Sequence, residues 1–123
     1  MPTRPRVLLV DDHPGIVQAL SRVLSPACDV VGTMADGREV PDAAARLDPV
    51  VVVLDLNLPD VSGLDVCRQV TRNNPLAKVI VITAMADDAV RDEALAAGAS
   101  GFVHKSAAND LIATIQRVWA EPA

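Results

Sequence analysis

Four short apolar runs in the sequence each lead into a residue type that phosphate chemistry needs. VLLV is followed by Asp11 and Asp12, VVVL by Asp55, VIVI by Thr83, and Lys105 comes directly after GFVH. If these runs are neighbouring parallel strands, their carboxyl ends lie at one edge of a sheet, where open α/β folds bind their ligands. We therefore predict an active site at that edge, with three carboxylates, one hydroxyl and one ammonium group.

The three acidic side chains are expected to hold a divalent cation. Carboxylates packed together in a part-buried setting repel one another, unless a cation lies among them or their pKa values rise. Oxygen ligands without a nearby cysteine or histidine set favour Mg²⁺ over zinc or copper. With this charge shielded, Asp55 can attack a phosphorus centre and become an aspartyl phosphate. The metal and Lys105 would then neutralise the phosphoryl oxygens.

Taken alone, each of these residues also has a structural interpretation. Asp11 and Asp12 could form a solvated turn, and Asp55 could cap the turn that follows it. Lys105 alone is typical of a solvated side chain and Thr83 of an ordinary strand end. Only their joint placement at strand ends favours catalysis. Three further residues are predicted to serve helix entry, structure and packing or an interface, respectively: His13, His104 and Trp119.

The elements that must position these residues alternate along the chain. Strand-like runs are followed by Ala- and Leu-rich stretches of helical length, which is the pattern of repeated βαβ units around a parallel sheet. The predicted strands are 6–10, 29–33, 50–54, 78–82 and 101–104, and the predicted helices are 14–24, 37–47, 63–73, 87–97 and 107–120. Pro41 lacks a backbone donor, so the second helix either starts late, with Pro41 in its first turn, or is kinked.

Length and composition indicate one domain over residues 1–123. Half of the residues are apolar and 22% are charged, which argues against disorder. The apolar runs are too short to cross a bilayer, and MPTRPR leads directly into VLLV rather than into a signal peptide's long apolar stretch. We therefore expect a cytoplasmic protein without membrane contact. The net charge of −5 opposes direct nucleic acid binding. Cys28 and Cys67 are expected to be reduced, part-buried thiols.

Together these residues resemble the receiver domains of two-component response regulators, in particular those of the LuxR/NarL type. The resemblance covers nearly the whole chain and rests on VDDHP, LDLNLPDVSG, VITA and GFVHKS, which occur in the expected order. It implies a flavodoxin-like (βα)5 fold, a doubly wound parallel sheet with strand order 2-1-3-4-5.

The resemblance also implies roles at the site. Asp55 would be the phosphoryl acceptor. Mg²⁺ would be bound by the side chains of Asp12 and Asp55 and the backbone carbonyl of Asn57, with Asp11 holding a metal-bound water. Lys105 would pair with the phosphoryl group.

The remaining implied roles concern switching and hydrolysis. Thr83 would move its hydroxyl toward a phosphoryl oxygen, and Phe102 would turn inward as it does so. Asn57 and Met85 would tune the lifetime of the acyl phosphate. Lys105 is followed by Ser106, where many members of the family have proline after a cis bond, so the isomer of this peptide bond is left open.

The predicted function is that of a phosphorylation-activated switch. A sensor histidine kinase would donate the phosphoryl group to Asp55, and the domain would itself catalyse its phosphorylation and dephosphorylation. The surface of helix 4, strand 5 and helix 5 would then change and control an output. That output is expected to be transcription through a C-terminal DNA-binding domain, with a homodimer as a further possibility.

Alternatives stay open at this point. The chain could be a receiver excised from a transcription factor or a stand-alone regulator. It could also be an interaction module of the same fold that is never phosphorylated. A Mg²⁺-dependent phosphohydrolase is disfavoured, because such enzymes usually have a second acid two residues after the nucleophile, where this chain has Asn57.

Overall fold

Five parallel strands form a single sheet in the order β2-β1-β3-β4-β5. This is the 2-1-3-4-5 order that the resemblance to receiver domains implied. The computed structural model describes residues 4–84 and 87–120, without the side chain of residue 108. Met85, one of the two residues expected to tune hydrolysis, therefore lies outside the described residues.

Strands and helices alternate strictly. The strands are β1 Arg6–Val10, β2 Asp29–Met34, β3 Val51–Asp55, β4 Lys78–Thr83 and β5 Gly101–His104. The helices are α1 Pro14–Leu24, α2 Val40–Leu47, α3 Gly63–Asn73, α4 Asp88–Ala96 and α5 Ala108–Ala120, with a 3₁₀ turn at Lys105–Ala107 before α5.

Three strands reach one residue further toward the site than predicted. β2 ends at Met34, β3 at Asp55 and β4 at Thr83. In each case the pairing with a neighbouring strand continues for one more residue: Met34 pairs with Val10, Asp55 with Ile82 and Thr83 with His104. Two of the predicted site residues are thus themselves the last residues of buried strands.

The second helix resolves the question that Pro41 raised. α2 begins at Val40 with Pro41 in its first turn, so the late start is confirmed, and the predicted start at residue 37 is wrong. The first turn of a helix tolerates proline because the N–H groups there have no acceptor within the helix, so the N–H that proline lacks is not needed. The N–H of Gly37 is engaged elsewhere, since it donates to Asp60 Oδ1 at 2.9 Å.

Helices cover both faces of the sheet, which matches the all-apolar strands. One buried cluster joins alternate strand residues such as Leu8, Val52 and Val79 to α2, α3 and α4. The other joins the intervening residues, such as Leu9 and Val53, to α1 and α5. This two-sided burial makes the strand ends rigid supports for the loops that follow them.

Gly98 follows the C-cap of α4 and has a φ of 105°, the left-handed conformation in which many helices end. Cys28 and Cys67 are free thiols, as predicted, but both are buried rather than part-buried, because they pack inside the two core clusters. Every described peptide bond is trans, including that between Lys105 and Ser106. None of the described helices combines the length and the apolar character that a membrane crossing requires.

Candidate functional site

Four side chains meet at the carboxyl ends of β1 and β3. Asp11 and Asp12 follow β1 directly, and Asp55 ends β3. Asp11 is 2% exposed and Asp55 is fully buried. One ligand atom from each of these acids and one from His13 all lie within 4.8 Å of one another. The structure thus brings together the three acids that the sequence predicted to be neighbours.

Lys105 supplies the positive charge at this cluster. It begins the 3₁₀ turn after β5, and its Nζ lies 3.0 Å from Asp55 Oδ2, to which it donates a hydrogen bond. The same nitrogen lies 3.0 Å from Asp11 Oδ2. The lysine side chain is 14% exposed, so solvent screens these ion pairs only in part. The predicted convergence of an ammonium group and the acids is therefore present.

Hydrogen bonds from the local backbone fix the orientation of the two buried carboxylates, Asp11 and Asp55. The N–H of His13 donates to Asp11 Oδ1 at 2.9 Å. The N–H of Asn57 donates to Asp55 Oδ1 at 3.0 Å. Both bonds join a carboxylate to the backbone two residues later, the pattern of an Asx turn. Each carboxylate therefore has one oxygen held by its own loop and the other directed at Lys105.

The electrostatics of the cluster favour a further cation. Burial raises the pKa of Asp55, and the charge of Asp11 adds to it, although the N–H of Asn57 and the ammonium of Lys105 act against this rise. Burial alone would lower the pKa of Lys105, but the attraction of Asp55 and Asp11 outweighs it and raises that pKa. A single ammonium thus does not fully compensate the buried carboxylates.

Two oxygens of the cluster support this conclusion. Asp11 Oδ2 and Asp12 Oδ1 are buried, and neither accepts a hydrogen bond from the described residues. Asp11 Oδ2 lies 3.0 Å from Lys105 Nζ, and Asp12 Oδ1 lies 3.1 Å from His13 Nδ1. Buried carboxylate oxygens of this kind fit a hard divalent cation. The acidic pocket of Asp11, Asp12 and Asp55 can therefore bind a metal ion.

The predicted switch residues lie on β4 and β5, the two strands beyond β3 in the sheet. Thr83 is fully buried at the end of β4, the strand beside β3. Phe102 pairs with Val81 in the sheet and is half-buried against the cluster formed with α2, α3 and α4. Asn57 is exposed after Asp55, with its backbone turned toward that carboxylate.

Sequence reasoning underestimated His13. It stands at the N-cap of α1, which confirms the expected helix entry. Its Nδ1 also lies 3.0 Å from Asp11 Oδ1 and 3.1 Å from Asp12 Oδ1. The signal was its place directly after the acidic pair, because the first residue beyond a strand-end turn stays close to that turn.

Known proteins share both the fold and the sequence pattern of this chain. Residues 7–116 match the family model of the response regulator receiver domain. The response regulator GacA of Pseudomonas protegens is 35% identical over 118 residues, which are 94% of this chain and 55% of GacA. The chemotaxis protein CheY of Thermotoga maritima is 35% identical over 101 residues, which are 81% of this chain and 84% of CheY.

A solved structure agrees with these matches. A two-component response regulator of the LuxR family from an Aurantimonas species has a TM-score of 0.90 and 32% identity, covering 95% of this chain and 86% of that one. The chain spans about half the length of GacA and its similar-sized relatives. Over the residues that match, the chain belongs to the family of response regulator receiver domains.

Proposed function

We propose that this domain is a phosphorylation-activated switch whose phosphoryl acceptor is Asp55. The observation that carries the proposal is the position of Asp55, which is fully buried at the end of β3 with Lys105 Nζ 3.0 Å from Oδ2. Such a carboxylate is held as a nucleophile, beside a cation that can neutralise the charge of an incoming phosphoryl group.

In the proposed reaction, a carboxylate oxygen of Asp55 attacks the phosphorus of a phosphohistidine on a sensor histidine kinase. The P–N bond breaks, its electron pair stays on the imidazole nitrogen, and that nitrogen takes up a proton. Hydrolysis by water later restores the carboxylate and releases phosphate. Lys105 remains paired with a phosphoryl oxygen, so its ammonium serves the free and the modified states alike.

The acidic pocket is proposed to hold Mg²⁺ during transfer. The ion would be bound by the side chains of Asp12 and Asp55 and the carbonyl oxygen of Asn57, with Asp11 acting through a water. The bound ion would supply additional neutralisation of phosphoryl charge. The two buried oxygens without hydrogen bonds, on Asp11 and Asp12, support this assignment.

Phosphorylation is proposed to bias two states of one surface. The new oxygens would attract the Thr83 hydroxyl in only one state, and Phe102 would turn inward with it. The surface that changes would comprise α4, β5 and α5. Asn57 and Met85 are proposed to tune how long the acyl phosphate lasts.

The downstream output is proposed to be transcription in the cytoplasm, through a DNA-binding domain in the same polypeptide. The match to the DNA-binding transcriptional activator DevR/DosR of Mycobacterium tuberculosis, over 47% of that protein's length, supports this arrangement. A stand-alone regulator is the alternative, and the match to most of the length of CheY favours it. The reading frame of the gene decides between them, and the solution mass of the phosphorylated domain tests for a homodimer.

Intact-mass measurement after incubation with Mg²⁺ and a small acyl phosphate tests the function. We expect one added phosphoryl group in the wild type and none in Asp55→Ala. Asp92→Asn, a change at an exposed acid on α4, is the matched control and should be modified as the wild type is. An unchanged wild-type mass at saturating donor would favour the interaction module that is never phosphorylated. Turnover of many small phosphomonoesters would favour a hydrolase.

A further inference from the structure

A half-buried histidine links the strand ends that carry Thr83 and Lys105. His104 is the last residue of β5 and pairs with Thr83 in the sheet. Its Nε2 lies 2.9 Å from the carbonyl oxygen of Ala84. Its Nδ1 lies 2.6 Å from Ser106 Oγ and 3.1 Å from the backbone nitrogen of Ser106. One imidazole therefore contacts the residue after Thr83 and the residue after Lys105.

These contacts select one form of the ring. A carbonyl oxygen can only accept a hydrogen bond, so Nε2 carries the hydrogen that Ala84 receives. A backbone N–H can only donate, so Nδ1 is the bare nitrogen that accepts from Ser106. The neutral imidazole with its hydrogen on Nε2 satisfies both partners, and the Ser106 hydroxyl can donate to Nδ1 as well.

We propose that His104 is a positioning residue that holds the backbone after Thr83 in its resting place and thereby opposes switching. The inference rests on the proposed function, because it requires Thr83 to move toward a phosphoryl group on Asp55. The Ala84 carbonyl is one peptide away from Thr83, so a shift of Thr83 displaces it. The hydrogen bond from Nε2 to the Ala84 carbonyl oxygen opposes that displacement, because the bond must break before the carbonyl can move.

The contact with Ser106 anchors the other side of the ring. Ser106 lies in the 3₁₀ turn that begins at Lys105, and that lysine is itself fixed on Asp55. The imidazole therefore ties the backbone beyond Thr83 to a turn that the acidic cluster holds in place. The connection is made by a histidine at the end of β5 and a serine in the 3₁₀ turn.

Two substitutions separate the sides of the imidazole. Asparagine places an amide group where Nδ1 stands but does not reach as far as Nε2, so His104→Asn keeps the contact with Ser106 and loses that with Ala84. Glutamine reaches the Nε2 position with its amide N–H₂, so His104→Gln keeps the contact with Ala84. Ser25→Ala is the control, because the Ser25 hydroxyl, at the C-cap of α1, donates to the Ser21 carbonyl oxygen and to no other described residue.

The experiment titrates each protein with beryllofluoride, a phosphoryl mimic, in saturating Mg²⁺ and follows backbone amide NMR signals. We expect His104→Asn to half-saturate at a concentration about 2- to 10-fold lower than the wild type, as the loss of one opposing hydrogen bond predicts. His104→Gln keeps the Ala84 contact but loses the Ser106 anchor, so its half-saturation should fall between those of His104→Asn and the wild type. Ser25→Ala should stay within about twofold of the wild type. A purely structural histidine would lower Tm in both His104 variants without separating their titrations.

A second measurement uses the wild type alone. Long-range proton–nitrogen NMR of the free domain should show His104 with its hydrogen on Nε2, and beryllofluoride should change this signal. A hydrogen on Nδ1, an unchanged signal, or equal titrations for both His104 variants would overturn the inference while leaving the phosphoryl-acceptor role of Asp55 intact. A wild type that does not respond to beryllofluoride would overturn the proposed function, and the inference with it.

Discussion

Lys105 Nζ lies 3.0 Å from Asp55 Oδ2 and, at the same time, 3.0 Å from Asp11 Oδ2. One ammonium group is thus shared by two carboxylates from different strand ends, neither of which is more than 2% exposed. Among the described residues, this shared lysine supplies the positive charge at the buried pair of carboxylates.

Replacing the shared lysine should destabilise the free domain. Lys105→Met leaves two buried carboxylates without their cation, so we expect a loss of about 1–3 kcal/mol in the free energy of unfolding at pH 7. Lys78→Met, at the start of β4, is the matched control and should change stability far less. Urea unfolding of both variants measures the difference. If Lys105→Met unfolds at the wild-type urea concentration, the ion pairs contribute nothing to the fold.

Removing the negative charge of Asp55 should have the opposite effect. Burial raises the pKa of this carboxyl above its ordinary value of 3.8, so the unfolded chain loses the proton at lower pH than the folded chain. The protonated carboxyl therefore stabilises the folded domain at pH values below the pKa of the unfolded chain. This contribution is lost as the pH rises through the higher pKa of the folded domain. Asp55→Asn should therefore raise Tm by about 3 °C or more at pH 7.5, and by much less near pH 3.5.

Added Mg²⁺ distinguishes this effect from general packing. The ion should raise the Tm of the wild type, because a ligand that binds the folded state stabilises it, and should raise that of Asp55→Asn less. An equal Mg²⁺ response in the two proteins would contradict the assignment of Asp55 as a metal ligand.

Cys67 offers a test of the core that does not involve the site. Burial raises the pKa of its thiol to about 11, and burial also raises the pKa of Cys28. At pH 8 both thiols should resist alkylation in the folded domain and react at once in denaturant. Above pH 9 the unfolded thiolate becomes favoured, so stability should fall as pH rises from about 9 to about 11. Rapid labelling of the folded domain at pH 8 would show that the core opens readily.

Gly63 controls the shape of the loop after Asp55. A Cβ atom at this position would lie 2.5 Å from Leu56 Cα, so Gly63→Ala should destabilise by about 1–3 kcal/mol and weaken Mg²⁺ binding. Gly15 in the first turn of α1 has open space around it, so Gly15→Ala should be neutral or stabilising. Thermal unfolding and Mg²⁺ titration compare them. Equal effects of the two substitutions would contradict the role given to Gly63.

The parts of the site that could be predicted from sequence are those that depend on strand ends. Asp11, Asp55, Thr83 and Lys105 each adjoin an apolar run, and parallel pairing brings such ends to one edge. The contacts that sequence reasoning missed depend on ring direction instead. His13 and His104 turn toward oxygens in their surroundings, and no periodic pattern encodes that direction.

The predicted boundaries of several strands and of α2 were wrong for a related reason. The apolar run of β3 and that of β4 each end one residue before the pairing with the neighbouring strand ends. Asp55 and Thr83 were therefore predicted to lie just beyond their strands. At α2 the loop bond from Gly37 to Asp60 draws the first residues away from the helix. Such a tertiary contact over 23 residues cannot be read from local composition.

Chemical mapping of the phosphorylated residue tests the central claim most directly. The domain is incubated with a small acyl phosphate and Mg²⁺, then reduced with borohydride, which converts an aspartyl phosphate into homoserine, and its peptides are sequenced by mass spectrometry. We predict homoserine at position 55 alone. Its yield should depend on Mg²⁺ and should be much lower in Lys105→Met. Homoserine at another acid, or none at any donor concentration, would contradict the assignment of Asp55 as the phosphoryl acceptor.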